Sequence, residues 1–148
     1  MKTKISKRII PGDKIIFIVE DNEVYAKALQ SFILDRFPDI VEAKIFSIGE
    51  LCLMEMHRNP SIVIMDYFLN SKFDEAHNGM EIIEKIKVQK PLTNIIISSI
   101  LTDSNIISES ISLFDCIYVQ KDEEAFNKIE QSIKKIFSHD STPPGPWN

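Results

Sequence analysis

The sequence comprises 148 residues, of which 44% are hydrophobic, which suits one domain with a substantial core and is too short for two. Its net charge of −5 opposes attraction to phosphate backbones, so we expect no nucleic-acid partner. The chain has no run near the roughly 20 apolar residues that span a bilayer, and its start lacks the apolar core of a signal peptide, so we expect a cytoplasmic protein without membrane contact.

The chain divides into three predicted segments. Residues 1–12 form a basic leader, residues 13–138 form the single domain, and residues 139–148 form a Pro-rich tail. Because the leader is short and strongly charged, we interpret it as a solvated terminus. The tail is too short to be a domain of its own.

Four apolar runs predict buried strands, and polar side chains follow the C-terminal end of each. The runs, each with the polar residues after it, are residues 15–19 with Glu20 and Asp21, residues 61–65 with Asp66, residues 95–97 with Ser98 and Ser99, and residues 116–120 with Lys121. Open α/β sheets keep their sites at these strand ends. We therefore expect the polar residues to form one site.

Segments with helical periodicity lie between the strands. Tyr25, Ala28, Leu29 and Phe32 share one helical face, and Phe126, Ile129, Ile133, Ile136 and Phe137 share another. Asp122, Glu123 and Glu124 are predicted in the first turn of the last helix, with Lys134 and Lys135 in its last turn, which suits the helix macrodipole. Strand and helix alternate five times, which predicts an α/β fold with a parallel sheet covered on both faces.

One further strand, residues 41–46, alternates apolar and charged residues over its first five positions, as an edge strand does. An edge position for this second strand favours a doubly wound five-stranded sheet in the order 2-1-3-4-5. The topological switch of that order lies between strands 1 and 3, which brings Asp21 and Asp66 together. The predicted chemistry depends on this topology.

Three carboxylates at one crevice repel each other, and a hard divalent cation with oxygen ligands, such as Mg²⁺, relieves that repulsion. A carboxylate beside Mg²⁺ can attack phosphorus, because the ion neutralises charge on the incoming phosphoryl group. Asp66 is the candidate acceptor.

Each residue also has a simpler interpretation. Asp21 or Asn22 alone would be a helix cap, and Asp66 alone would be a turn former. Lys121 alone would be a solvated charge, and the two serines would be strand-end hydroxyls with local hydrogen bonds. The combination of all four strand ends favours a functional site.

The sequence resembles the receiver domains of bacterial two-component response regulators over residues 13–138. The resemblance depends on the segments 16–22 (IFIVEDN), 62–66 (IVIMD), 79–81 (GME) and 118–121 (YVQK) and on the strand-end hydroxyl. It implies a flavodoxin-like (βα)5 fold and a protein that catalyses only its own phosphorylation and dephosphorylation. The implied partners are a sensor histidine kinase or a histidine phosphotransfer protein.

The resemblance also implies a role for each site residue. Asp66 would accept the phosphoryl group. Asp21 and Asp66 would bind Mg²⁺, with help from Glu20 and from the backbone carbonyl of Phe68. Lys121 would pair with a phosphoryl oxygen.

A hydroxyl and an aromatic residue complete the implied site. The hydroxyl of Ser99 would bind another phosphoryl oxygen, because its separations from Tyr118 and Lys121 match the family without gaps. Tyr118 would be the switch aromatic, whose simpler interpretation is packing on an edge strand. The output surface would comprise the fourth predicted helix, the last strand and the last helix, and it would bind a downstream protein.

The sequence departs from the family at several positions, some of which bear on the predicted site. Residues 67–78 form a longer loop than is common, which we interpret as solvated surface, and its His77 is not assigned as a ligand. Ile100 stands where a small residue is usual, so either access to the phosphoryl group is narrowed or Ser98 is the switch hydroxyl. Phe68 and Leu101 are apolar, and we therefore predict a long-lived phosphoryl-aspartate.

Several functions fit these residues to different degrees. The leading prediction is a stand-alone phosphoacceptor switch, and a phosphorelay intermediate fits the same residues. A phosphate-independent interaction module is weakened by the acid pair, the acceptor and the lysine. A haloacid-dehalogenase-like phosphohydrolase is disfavoured, because such enzymes carry a second acid where this chain has Phe68.

Overall fold

The computed structural model describes residues 12–66, 79–100, 108 and 112–140. Most of the leader, the loop at residues 67–78 and the tail from residue 141 lie outside these ranges, as do Phe68, His77 and Leu101. The described strands are β1 (Lys14–Val19), β2 (Ile40–Phe46), β3 (Ile62–Met65), β4 (Asn94–Ser99) and β5 (Ile117–Gln120).

The helices of the described part are α1 (Glu23–Arg36), α2 (Gly49–Met54), α3 (Gly79–Gln89) and α4 (Ala125–Asp140), with a short 3-10 turn over Met56–Arg58. Helix α4 runs two residues past the domain boundary predicted at residue 138. Most of the predicted fourth helix, between β4 and β5, lies outside the described residues, although residues 112–114 are helical. No described helix combines the length and apolar composition needed to cross a bilayer.

The strands form one parallel sheet in the order β2-β1-β3-β4-β5. This confirms the predicted doubly wound order, with β2 at an edge. Val19 at the end of β1 pairs with Met65 at the end of β3, and the Asp66 amide donates a hydrogen bond to the Val19 carbonyl at 3.0 Å. The residues that follow β1 and the residues that follow β3 therefore lie next to each other at the same edge of the sheet.

Each face of the sheet has its own apolar core, because side chains alternate along every strand. Phe17 and Val19 of β1 pack on the face covered by α2 and α3. Ile16 and Ile18 pack on the other face, against α1 and α4. The sheet is thus buried on both sides, as the continuous apolar runs predict.

Helix α1 differs from the prediction at Ala28, which is exposed although it was expected to share a face with Leu29. The residues of α1 that are buried against the sheet are Ala26, Leu29 and Ile33. Tyr25 and Phe32 are half-buried because their rings pack beside Phe126 of α4, at centroid distances of 5.5 and 5.2 Å. Ala28 therefore does not belong to the side of α1 that packs against the sheet and α4.

The start of α4 also differs slightly from the prediction. The helix begins at Ala125, so Asp122, Glu123 and Glu124 precede its first turn. A side-chain oxygen of Asp122 accepts a hydrogen bond from the Glu124 amide at 2.9 Å, and the Asp122 carbonyl accepts one from the Ala125 amide at 3.1 Å. The acids shape the turn before the helix and still lie near its positive end.

Candidate functional site

Glu20, Asp21 and Asp66 meet at the C-terminal edge of the sheet. Each offers a carboxylate oxygen, and these oxygens lie within 4.8 Å of one another. Glu20 is 4% exposed and the Asp66 side chain is 11% exposed, so little water shields their charges from each other. The parallel pairing of β1 with β3 brings the three acids together, as the sequence predicts.

Lys121 provides the positive charge among these acids. Its ammonium lies 3.3 Å from Oδ2 of Asp66 and also forms an ion pair with Oε1 of Glu20. The Lys121 amide donates to the Ser99 carbonyl at 2.8 Å, which ties the start of this loop to the end of β4. Among the described residues, Lys121 alone forms ion pairs within this group of three carboxylates, and its single charge does not balance theirs.

The pKa of Glu20 is raised, chiefly because the carboxyl group is buried. Burial, together with the nearby charge of Asp66, raises this pKa from 4.5 to about 7, against the opposing effect of Lys121. Burial lowers the pKa of Lys121, but Glu20 and Asp66 outweigh burial and raise it overall. Near neutral pH the crevice therefore holds a proton on Glu20 or takes up another cation.

The donor set fits a hard divalent cation. The three acids offer oxygen atoms only, and Mg²⁺ needs one or two protein carboxylates besides water. The amide of Asn22 donates to Oε2 of Glu20 at 3.2 Å, which helps to orient this carboxylate. The predicted contribution of the Phe68 carbonyl lies outside the described residues.

The helix cap proposed as the simpler interpretation is present and belongs to Asn22. Its Oδ1 accepts a hydrogen bond from the Tyr25 amide at 3.0 Å at the start of α1. Asp21 is therefore not required to cap α1 and remains in the acidic cluster. The cap fixes the first turn of α1 beside the site.

The two serines that end β4 point to opposite faces of the sheet. Ser99 alternates with Ser98 and so lies on the face of Ile97 and Tyr118, whereas Ser98 lies on the face of Val119. Both serines are buried, and the Tyr118 hydroxyl donates to the Ser99 carbonyl at 3.2 Å. Ser99 is thus the serine that shares a face with the predicted switch aromatic.

Ile100 follows Ser99 and is 70% exposed. Its side chain is therefore directed to solvent and is not packed into the acidic crevice. The predicted narrowing of access to the phosphoryl group by Ile100 stays a prediction.

Sequence reasoning missed Tyr25, which it placed only on an apolar helix face. The Lys121 ammonium lies 4.2 Å from the centroid of the Tyr25 ring, so this residue borders the site. The one usable signal was its position three residues after a capping Asn22, which places it in the first helical turn beside the strand end. No spacing rule connects it to Lys121.

The hydroxyl groups of Tyr25 and Ser98 lie close to each other. Among the described residues, neither the Tyr25 hydroxyl nor the buried Ser98 hydroxyl has a partner in good hydrogen-bond geometry. They are nevertheless close enough for Ser98 to lower the pKa of Tyr25, although burial has the larger effect and raises it. Ser98 thus faces α1 and not Tyr118.

No protein-family model and no curated protein matches the chain. Solved structures do match its fold. The signal receiver domain of a DNA-binding response regulator from Colwellia psychrerythraea 34H is 21% identical, with a TM-score of 0.72 over 85% of this chain and 99% of that one.

Two further matches have the same character. A signal receiver domain of an HD domain-containing protein from Pseudomonas fluorescens Pf-5 is 19% identical, with a TM-score of 0.71 over 88% of this chain and 98% of that one. A CheY-like receiver domain protein from Methanospirillum hungatei JF-1 is 17% identical, with a TM-score of 0.71 over 88% and 98%. The chain therefore has the fold of a response regulator receiver domain.

Proposed function

We propose that this chain is a receiver domain of a two-component system, in which Asp66 accepts a phosphoryl group in a Mg²⁺-dependent reaction. The observation that carries the proposal is the position of Lys121, whose ammonium lies 3.3 Å from Asp66 Oδ2 within the acidic cluster. A nucleophile, a cation for the phosphoryl oxygens and a set of metal ligands are thus together at one strand edge.

The reaction is a transfer from a phosphohistidine on a sensor kinase or a histidine phosphotransfer protein. An Asp66 oxygen forms a bond to phosphorus while the P–N bond breaks, and the electron pair of the P–N bond goes to the imidazole nitrogen. Glu20, Asp21 and Asp66 would hold the Mg²⁺ ion, which would supply positive charge for the phosphoryl oxygens. Lys121 adjusts its position to pair with one of these oxygens.

The site acts only on its own aspartate, so the protein is not an enzyme with a separate substrate. It catalyses its own phosphorylation and, with water as the acceptor, its own dephosphorylation. A transfer onward from Asp66 to a second histidine protein would make it a phosphorelay intermediate. Both roles use the same residues.

The phosphoryl group acts as a switch through Ser99 and Tyr118. When the Ser99 hydroxyl turns toward a phosphoryl oxygen, the backbone that accepts the Tyr118 hydrogen bond is free to shift. Tyr118 then changes the surface around β5 and α4, and a downstream protein binds one of the two states. The output is a change of protein partner.

Intact mass after incubation with acetyl phosphate tests the proposal, with and without Mg²⁺. We expect one Mg²⁺-dependent phosphoryl adduct on the wild type and on Asp35→Ala, a control at an exposed acid of α1. Asp66→Ala should carry no adduct. If the folded wild type carries no adduct, the result would favour a phosphate-independent interaction module. Steady release of phosphate from many turnovers would favour a phosphohydrolase.

A further inference from the structure

The ring of Tyr25 lies against the ammonium group of Lys121. The nitrogen is 4.2 Å from the ring centroid, which is within the range of a cation–π interaction. The Lys121 side chain is only 17% exposed, so water competes weakly with the ring for its charge. Lys121 therefore has an aromatic partner in addition to Glu20 and Asp66.

The aromatic partner differs from the two carboxylates in one respect. The attraction that Glu20 and Asp66 exert on Lys121 weakens when a divalent cation neutralises their charge. The attraction of the ring arises from its quadrupole and does not change with the charge of the crevice. Tyr25 thus continues to hold the ammonium when the carboxylates hold it less.

The structure also fixes the ring in place. The rings of Tyr25 and Phe126 pack in a T-shaped arrangement, at a centroid distance of 5.5 Å and an interplanar angle of 67°. The Asn22 side chain accepts a hydrogen bond from the Tyr25 amide, which fixes the backbone of the same residue. Because packing restrains the ring and the hydrogen bond restrains the backbone, the Tyr25 side chain loses little conformational entropy when its ring contacts Lys121.

We infer that Tyr25 is a positioning residue for phosphoryl transfer, which holds the Lys121 ammonium beside Asp66 while cations and the phosphoryl group enter the crevice. This role rests on the proposed function, but the contact itself does not. Tyr25 contacts neither the phosphoryl group nor the metal in this role and acts only through Lys121.

The first test is the NMR signal of the Lys121 ε-methylene protons, assigned by comparison with Lys121→Arg. A ring face close to these protons shifts them upfield. We expect that shift in the wild type and in Tyr25→Phe and its loss in Tyr25→Leu. An unshifted signal in the wild type would overturn the inference without any variant having to fold.

The second test is the rate of phosphorylation by acetyl phosphate at saturating Mg²⁺. We expect Tyr25→Leu to react about fivefold more slowly than the wild type, the scale of one partly buried cation–π contact. Tyr25→Phe keeps the ring and should restore most of the rate. Phe32→Leu is the matched control, because Phe32 packs on the same Phe126 ring, at 5.2 Å, without contact to Lys121.

A double-mutant cycle separates positioning from a structural effect. In a Lys121→Ala background, Tyr25→Leu should cause no further loss of rate, because the group that it positions is absent. An equal fivefold loss in both backgrounds would overturn the inference, as would equal rates for the wild type and Tyr25→Leu. A wild type that accepts no phosphoryl group would overturn the proposed function and, with it, the role of Tyr25, even if the upfield shift is present.

Discussion

The Tyr118 hydroxyl donates a hydrogen bond to the Ser99 carbonyl at 3.2 Å. This bond joins the predicted switch aromatic on β5 to the strand end that carries the predicted switch hydroxyl. Ser98, the neighbour of Ser99, points to the opposite face of the sheet, toward the side covered by α1 and α4. The two serines therefore form a matched pair for a test of the switch.

Ser99→Ala should uncouple Tyr118 from the acceptor site, whereas Ser98→Ala should not. We expect the NMR signals of the Tyr118 ring to shift when acetyl phosphate and Mg²⁺ are added to the wild type or to Ser98→Ala. In Ser99→Ala most of that shift should disappear, because the hydroxyl that links phosphoryl oxygen to β4 is gone. A loss confined to Ser98→Ala would assign the switch to the other serine.

Ser98→Ala should also have little effect on the stability of the fold. The Ser98 hydroxyl is buried with no well-placed partner among the described residues, so the substitution removes a polar atom that already lacks a good hydrogen bond. We expect a change in the free energy of unfolding of less than about 1 kcal/mol, measured in urea. A much larger loss would indicate that Ser98 forms a stabilising hydrogen bond, either with the nearby Tyr25 hydroxyl or with a residue outside the described part.

Glu20 should make the folded protein less stable as the pH rises. Its pKa is raised from 4.5 to about 7, so between these values the folded protein holds a proton that the unfolded chain has lost. The contribution of Glu20 to the free energy of unfolding is therefore fully present below about pH 4.5. It decreases as the pH rises and is lost once the pH has passed through about 7. Between pH 5 and pH 8, we expect the free energy of unfolding of the wild type to fall by about 2 kcal/mol more than that of Glu20→Gln.

Thermal unfolding of the wild type and Glu20→Gln across this pH range measures the effect. Mg²⁺ should restore much of the lost stability of the wild type at pH 8 and little at pH 5, because it replaces the proton on Glu20. The same addition should stabilise Glu20→Gln less. Parallel pH profiles for the two proteins would contradict the raised pKa.

The fold followed from the sequence because its signals are local and repeated. Continuous apolar runs marked the buried strands, and the alternation at the start of the predicted strand 41–46 marked β2 as the edge. Once the order 2-1-3-4-5 is known, the meeting of Asp21 with Asp66 follows from the topology alone. The acidic half of the site was therefore predictable from local sequence patterns, because these patterns also indicated the strand order.

The rest depended on side-chain directions that a pattern does not contain. The sequence left Ser98 as an alternative to Ser99 because of Ile100, and the face of Tyr118 that separates the two serines depends on the register between β4 and β5. Tyr25 was placed on a helix face, but whether that face meets α4 or Lys121 depends on how α1 lies across the sheet. The exposure of Ala28 reflects the same unpredicted orientation.

Removal of Lys121 should tighten the binding of Mg²⁺. The lysine forms ion pairs with Glu20 and Asp66 and so competes with a metal for the same oxygens. At about pH 9, where Glu20 is ionised, we expect Lys121→Met to bind Mg²⁺ about tenfold more tightly than the wild type. Isothermal titration measures this affinity directly.

Lys128 provides the control for that experiment. It lies on α4, its side chain is 52% exposed, and its ammonium is 3.9 Å from a carboxylate oxygen of Asp122. Lys128→Met makes the same change in net charge without contact to the acidic cluster, so its effect on Mg²⁺ affinity should be small. Equal effects of the two substitutions would mean that net charge, and not the position of Lys121, controls the affinity.

Gly49 at the start of α2 should tolerate no side chain, because α2 and α3 approach closely there. A Cβ atom at this position would lie 2.5 Å from Cγ1 of Ile82, which is completely buried in α3. We expect Gly49→Ala to lower the free energy of unfolding by about 1–3 kcal/mol, as overpacking of a core does. Chemical denaturation of the two proteins measures the difference.

A second substitution shows whether the clash with Ile82 causes this loss. Ile82→Ala alone should cost about 2–5 kcal/mol, because it opens a cavity in the core. In the double variant, the methyl group that Gly49→Ala adds would occupy part of that cavity, so the combined loss should be smaller than the sum of the two single losses. Strict additivity would instead assign the loss in Gly49→Ala to the backbone at the start of α2, and the close approach of α2 to α3 would then not limit the size of residue 49.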